Sequence, residues 1–215
     1  MEIFWYGHSC FRLTERGMAS VVIDPYDHTV VGYFPHKIRA DIVAISHDAP
    51  GHNFIGATKG ANQFITGPGE YEIGGVFITG VQTDGIGKKK IDSPRNTVYV
   101  FDYYGLTVAH LGDIKDVLTQ SEMEALGNVN IMLLPIGGGN GLNAAKGSEI
   151  VSQVEPNIII PMHYQTKESS IKLDELDKFI KEMGLQPIEP IPSLKITKSG
   201  LPSESKVVIL DYQTG

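Results

Sequence analysis

The sequence has 215 residues, 41% of them hydrophobic, which is enough to bury a sizeable core, and we expect residues 1–215 to form a single domain. Its 18 basic and 25 acidic residues give a formal charge of -7, which argues against general electrostatic binding to nucleic acid or anionic membranes. The single cysteine, Cys10, excludes an internal disulfide and a cysteine-based zinc site, and we expect it to pack as a small hydrophobic residue.

Two further features bear on location and on charged partners. No stretch approaches about 18 consecutive apolar residues, and the first ten residues lack a basic leader, so we expect a soluble, cytoplasmic protein without membrane contact. The one basic cluster, Lys88 to Lys90, follows Gly85 and Gly87 and is interpreted as a solvated loop without an assigned role.

The first half of the chain predicts short strands separated by Gly, Asp or Pro turns. These strands are EIFWYG, CFRLTE, ASVVID, DIVAIS, NQFIT, YEIGGVFITGVQT and TVYVFDYYGLTVAH. Tyr104 and Gly105, within the last of them, are predicted to form the corner of a hairpin.

The second half alternates predicted helices and strands. Thr119 with Glu122 forms a capping-box pattern, and Gly127 is a natural end for that helix. The strand IMLLPI, a helix from about Asn143 to Val154, and the strand NIIIPM follow. A helical stripe then precedes Gly184 and the final strand KVVILDY; it comprises Leu173, Leu176, Phe179, Ile180 and Met183. This order favours two sheets packed face to face with helices outside.

Position along the chain separates the seven histidines. Those that stand at or just after the end of an apolar run, where strand-end loops gather into sites, are His8, His47, His52 and His163. His110 also ends such a run, but the following residues place the carboxylate of Asp113 in the loop instead. His28 and His36 are interpreted as surface residues of a loop.

An ordered series of short motifs resembles a known family. The motifs are GHSCF at 7–11, IDP at 23–25, SHDAPGH at 46–52, GPGEYEIGGVFITGV at 67–81, HLGD at 110–113, LLPIGG at 133–138 and IPMHYQT at 160–166. Together they resemble the metallo-β-lactamase fold, and more closely the small UlaG-like metal-dependent hydrolases, which include ascorbate-6-phosphate lactonase. The resemblance covers roughly Ile3 to Thr166 and implies a four-layer αββα sandwich of α/β class.

The chain departs from the family's signature loop, H-x-H-x-D-H. His47 and His52 match its two ends, whereas Ala49 and Gly51 replace the central histidine and the aspartate, and neither can bind a metal ion. The histidine expected in the family's third motif is also missing, and Asp84 is the nearest candidate for that place. The resemblance therefore implies a degenerate active site in which a dinuclear metal centre is not expected.

The remaining family positions still predict a site for one divalent ion. Asp113 matches the family's bridging carboxylate, and His163 matches its last histidine ligand. With His52 they are predicted to bind one zinc, manganese, nickel or iron ion. His47 or His8 is predicted to accept a proton in catalysis, and His8 alternatively to donate a fourth contact or a hydrogen bond to a ligand.

Several functional hypotheses stay open at this point. The favoured one is a protein of hydrolase ancestry, catalytically weak or lapsed, that binds a small molecule or a protein partner. The alternative is a mononuclear metal-dependent hydrolase of a lactone, ester or phosphoester, and a third is redox chemistry at an iron site. The simplest interpretation gives the histidines and Asp113 ordinary loop and turn roles. The oligomeric state is not predicted.

Overall fold

The structure is a computed structural model that describes residues 1–83, 95–139 and 141–214, so Asp84 and the Lys88 to Lys90 cluster lie outside the described residues. Its strands are β1 (Glu2–Trp5), β2 (Phe11–Thr14), β3 (Val21–Ile23), β4 (Ile38–Arg39), β5 (Ile42–Ala44), β6 (Thr58–Lys59), β7 (Gln63–Ile65), β8 (Gly69–Ile73), β9 (Val76–Gln82), β10 (Thr97–Tyr103), β11 (Leu106–His110), β12 (Ile131–Pro135), β13 (Ile158–Met162), β14 (Leu194–Lys195) and β15 (Lys206–Val207). The α-helices are α1 (His28–Val31), α2 (Gln120–Leu126), α3 (Ala144–Val154) and α4 (Leu176–Glu182), and short 3-10 turns occur at Ile55–Ala57 and Lys198–Gly200.

Two mixed sheets form the centre of the molecule. The first has the strand order β14-β1-β2-β3-β5-β7 and the second has the order β15-β13-β12-β11-β10-β9-β8. Alternate residues of the first sheet, such as Ile3 and Trp5, share one apolar core with Ile78 and Phe101 of the second. The two sheets therefore pack face to face, as the alternation of their side chains requires.

Helices cover the outer faces of both sheets. Val22, which points away from the shared core, packs in a separate apolar cluster with Val31 of α1. On the other side, the backbone of α3 at Gly147 lies against the side chains of Leu134 and Phe179. The αββα sandwich predicted from the family resemblance is thus confirmed, although α1 was not expected from the sequence.

Local predictions in the second half are mostly confirmed. Thr119 and Glu122 form the capping box of α2, and Gly127 ends that helix. The C-terminal strand is shorter than predicted, because the chain leaves the second sheet after Val208 and then bridges to Ile191 and Trp5 of the other half of the sandwich. This segment connects the two sheets instead of extending one of them.

Parallel strands bring the functional loops to one edge of the sandwich. β3 and β5 run parallel in the first sheet, and β11, β12 and β13 run parallel in the second. Loops that follow the carboxyl ends of parallel strands lie together, so the motifs after these strands become neighbours. None of the helices in residues 1–83, 95–139 and 141–214 is long and apolar enough to cross a membrane.

Candidate metal centre

Three histidines from separate loops meet at this edge. Potential ligand atoms of His8, His52 and His163 all lie within 4.8 Å of one another, and we call these residues the histidine cluster. The ring centroids of His8 and His163 are 4.2 Å apart, and those of His8 and His52 are 4.9 Å apart. Imidazole nitrogens at such distances are a suitable donor set for a transition-metal ion.

Asp24 holds His52 from the side opposite the cluster. Its carboxylate is fully buried and accepts hydrogen bonds from His52 Nδ1 at 2.8 Å, from Ser46 N at 2.7 Å and from Ser46 Oγ at 2.6 Å. Burial alone would raise the pKa of Asp24, but the hydrogen bond from His52 and favourable electrostatic interactions with the neighbouring histidines outweigh it and lower that pKa to about 2. Ionised Asp24 therefore fixes the proton of His52 on Nδ1 and leaves Nε2 as a free donor atom for a metal ion.

The same carboxylate reaches His47 through Ser46. Ser46 Oγ donates its single proton to Asp24, so the 2.9 Å contact between Ser46 Oγ and His47 Nδ1 requires His47 to donate. His47 Nε2 is then unprotonated, and the residue is partly exposed. Asp24, His47 and His52 form a second group with ligand atoms within 4.8 Å. Because Asp24 already accepts hydrogen bonds from His52 and Ser46, we interpret this group as a network that positions the histidines and not as a set of metal ligands.

Asp113 lies beside the histidines without joining either group. Its backbone N–H donates to Asn96 Oδ1 at 2.9 Å, and its own Oδ1 is buried without a hydrogen-bond partner among residues 1–83, 95–139 and 141–214. Burial raises the pKa of Asp113, while His52 and His47 oppose that shift, which places the carboxyl group within electrostatic reach of both rings. A Cβ atom on Gly141 would lie 2.7 Å from this Oδ1, so the backbone of Gly141 lies directly against the carboxylate.

His110 lies deeper between the sheets and has a structural role. Its imidazole is fully buried, Nε2 donates to the Ser9 carbonyl at 2.8 Å, and Nδ1 accepts from Gly112 N at 3.1 Å. Both ring nitrogens are thereby satisfied within the protein. In the motif HLGD at 110–113, His110 therefore belongs to the core, and Asp113 is the residue in the loop, as inferred from the sequence.

Backbone strain is concentrated at the site. Among the described non-glycine residues, positive φ occurs at His8, Asp24, Tyr104, Glu155 and His163. Tyr104 forms the predicted hairpin corner and Glu155 ends α3, which explains the strain at those two positions. The other strained residues all belong to the site, as is common where tertiary structure over-determines functional side chains.

Three imidazoles near the site, those of His8, His47 and His163, have pKa values below the ordinary range. Burial, with repulsion from neighbouring histidines, lowers the pKa of His8 well below its ordinary value. Burial likewise lowers the pKa of His47 to about 4 and that of His163 to about 3. Neutral imidazoles keep a lone pair available at physiological pH, which is the form that binds a metal ion.

The structure thus brings all the predicted site residues to one edge, but in a different grouping. His52 and His163 are joined by His8, whereas the predicted third ligand, Asp113, stands next to them. Sequence reasoning missed Asp24, although it follows the apolar strand β3 and so satisfies the same strand-end criterion that selected the histidines.

The residues present fit a metal ion. Within the part of the chain that the structure describes, Nδ1 of His8 is buried without a partner, as is Oδ1 of Asp113, and both lie near other nitrogen and oxygen donors. Unsatisfied buried polar atoms are costly, so an additional group that bonds to them is expected in the functional state.

Comparisons with known proteins agree with this interpretation. A family model described as a beta-lactamase superfamily domain matches residues 2–163. A UPF0173 protein of Pyrococcus abyssi is 30% identical over 190 residues, which cover 77% of this chain and 84% of the relative. A UPF0173 metal-dependent hydrolase of Thermoplasma acidophilum is 25% identical over 190 residues, with the same shares covered.

Solved structures share the whole architecture. A Thermotoga maritima protein assigned to the zinc-dependent hydrolases of the metallo-β-lactamase superfamily is 33% identical, with a TM-score of 0.80 and 99% of both chains covered. A metallo hydrolase of Ignicoccus hospitalis is 18% identical with a TM-score of 0.66, covers 91% of this chain and 99% of its own, and shows likeness of fold alone. The chain belongs to the metallo-β-lactamase superfamily, in which its relatives include proteins described as metal-dependent hydrolases.

Proposed function

We propose that this protein is a hydrolase that uses a single divalent metal ion bound at the histidine cluster. The observation that carries the proposal is the convergence of three imidazoles from separate loops within 4.8 Å, beside a carboxylate that holds one of them in a metal-binding tautomer. Ala49 replaces one histidine of the signature loop and the third-motif histidine is also missing, so a second ion would lack ligands, which is the reason for proposing one ion instead of two.

A divalent ion at this position supplies Lewis acidity toward a carbonyl or phosphoryl oxygen and increases the acidity of water. The chain's own groups supply positioning and proton transfer. Asp24 orients His52 directly and orients His47 through Ser46. His47 Nε2, unprotonated and on the open side of the site, can accept a proton from water as a general base.

The substrate class we propose is an ester, a lactone or a phosphoester. Support comes from relatives that are described as metal-dependent hydrolases and from the partial exposure of His47, which leaves its side of the site open to a small molecule. The glycines at 137–139 border the site, where the backbone of Gly137 lies against the His163 carbonyl.

A second candidate is a catalytically lapsed protein that binds a small molecule at the same place. The observation that favours it is the absence of metal-binding side chains at positions 49 and 51 of the signature loop. The loss of even an indirect partner of a metal ligand typically costs about 10- to 100-fold in activity. In this alternative the ordered histidines bind a ligand but do not turn it over.

Metal content and turnover together decide between the two candidates. Protein purified without a chelating tag is expected to hold close to one ion per chain by elemental analysis, and His163→Ala is expected to lose it. His28→Ala, which changes an exposed histidine of α1, is the matched control and should keep the ion. Hydrolysis of a panel of esters, lactones and phosphoesters should stop with a chelator and return with metal.

The outcomes separate cleanly. No bound ion after incubation with zinc, manganese and nickel would overturn the hydrolase proposal. A bound ion without turnover of any of the substrate classes would favour the lapsed binding protein.

A further inference from the structure

We propose that His8 is a metal ligand that takes the place left by the missing side chain at position 51, and that glycine at 51 is required for this exchange. This inference rests on the proposed metal site and names the group that completes it. His8 comes from the loop between β1 and β2, whereas Gly51 belongs to the signature loop after β5. One ligand position would thus be filled from a different part of the fold.

The first support is that the backbone holds His8 firmly against His163. The His8 carbonyl accepts hydrogen bonds from Trp5 Nε1 and from the His163 backbone N–H, each at 3.0 Å. His8 and His163 both have positive φ, near 50°. The two strained residues are therefore locked together through the main chain, and their rings lie side by side as a result.

The second support is the state of the His8 side chain. The residue is only 2% exposed, and its Nδ1 has no hydrogen-bond partner among the described residues. A buried imidazole nitrogen without a partner is unfavourable unless another group bonds to it, and His110, whose two ring nitrogens both have partners, shows the contrast. Its nearest ring neighbours are His163 and His52, so such a group would sit among potential metal ligands.

The third support is a steric exchange between residues 8 and 51. A Cβ atom on Gly51 would lie 2.9 Å from His8 Nε2 and 3.4 Å from a methyl group of Val31. The imidazole of His8 therefore occupies the space into which any side chain at 51 would project. An aspartate at 51 and the present position of His8 exclude each other.

The exchange has a chemical consequence. With His8, His52 and His163 as ligands the set contains three neutral nitrogen donors, whereas a carboxylate at 51 would add a hard, negatively charged oxygen. Imidazole sets suit zinc, nickel, cobalt and copper, while carboxylates favour manganese and magnesium. We therefore expect binding of zinc and nickel in preference to manganese.

The test is a double-mutant cycle read by metal affinity and by the visible absorption of bound Co²⁺, which reports the ligand set without turnover. His8→Gln is expected to weaken Co²⁺ and Zn²⁺ binding by at least about 100-fold, more than the loss of an indirect partner. Gly51→Asp alone should also weaken binding, because the new carboxylate displaces the ring. His8→Ala/Gly51→Asp should bind more tightly than either Gly51→Asp or His8→Ala, with a changed Co²⁺ spectrum and better retention of Mn²⁺.

Several results would overturn the inference. One is native affinity and an unchanged Co²⁺ spectrum in His8→Gln while the native protein binds metal; this would leave the proposed hydrolase intact. Another is additive loss in the double variant. Failure of the native protein to bind any ion would remove both proposals, whereas loss of binding in His8→Gln without hydrolysis by the native protein would remove the proposed function alone. If Gly51→Asp does not fold, Gly51→Ala tests the steric part alone: its Cβ displaces the His8 ring, so it should weaken binding about as much as His8→Ala, and combining the two changes should cost nothing further.

Discussion

The interior around His110 and the histidine cluster both contain buried imidazoles, but the ring nitrogens differ in their hydrogen bonding. Both ring nitrogens of His110 form hydrogen bonds with main-chain groups, those of Ser9 and Gly112, so this residue has a structural role in the core. His8 is also buried, but one of its ring nitrogens, Nδ1, has no partner among the residues that the structure describes. The comparison teaches that burial alone does not mark a functional histidine; the hydrogen bonds that it lacks do.

Acidification should affect both regions and is expected to have the largest effect. The folded state keeps His47 neutral down to a pKa of about 4 and His163 down to about 3, whereas unfolded histidine binds a proton near pH 6.5. The unfolded chain therefore holds more protons throughout this interval. Stability that is fully present above about pH 6.5 should be lost as the pH falls toward about 3, far enough to unfold the metal-free protein.

The measurement is the urea-derived free energy of unfolding of metal-free protein across this pH range. His163→Gln should flatten the dependence, because it removes one of the groups that must stay neutral. A free energy that does not change between neutral pH and about pH 4 would contradict the prediction.

Substitution of a cluster residue should have its largest effect on metal binding. His163→Ala removes one of the converging nitrogen donors and is expected to weaken Zn²⁺ binding by at least about 100-fold, more than the change of an indirect partner would. Competition with a chromophoric chelator gives the affinity. If His163→Ala kept the native Zn²⁺ affinity, the ion would bind without His163, and the histidine cluster would not differ from the interior around His110 in the way proposed.

His110→Ala, the matching change in the core, should reduce stability but not metal affinity. His110→Ala leaves a cavity and strips partners from the Ser9 carbonyl and the Gly112 N–H, so we expect a loss of about 2–4 kcal/mol in the free energy of unfolding. Metal affinity should stay within about threefold of the native value, because His110 bonds main-chain groups of Ser9 and Gly112 and not the rings of His8, His52 or His163. If His110→Ala lost metal binding while remaining folded, His110 would belong to the site after all.

Asp24→Asn tests the support behind His52 and should have a smaller effect. The amide cannot accept from Ser46 and His52 as the carboxylate does, so His52 loses its fixed tautomer and metal affinity should fall by about 10- to 100-fold. Asp41→Asn is a matched control, since exposed Asp41 accepts from Ser20 N and Oγ at 2.8 and 2.7 Å in the same manner, away from the histidines. Equal effects of the two changes on metal affinity would disprove a positioning role for Asp24.

Much of the fold could be predicted from local patterns. Alternation of apolar residues marked strands such as β1 and β2, and the capping box at Thr119 marked the start of α2. These features depend on periodicity and turn chemistry within a few residues. The segment after Val207 was mispredicted as one strand because its partners lie in two different sheets, which no local pattern records.

The sequence by itself determined that histidines and Asp113 would follow strand ends, and the family resemblance implied that these loops share a site. Only the tertiary structure decided how they are grouped: His8 beside His163, Asp24 behind His52, and the His8 ring in the space next to Gly51. Ring direction, tautomer and steric exclusion arise from contacts between distant parts of the chain. A linear pattern specifies which loops come near one another, but only the packing of the two sheets sets which of their atoms can touch.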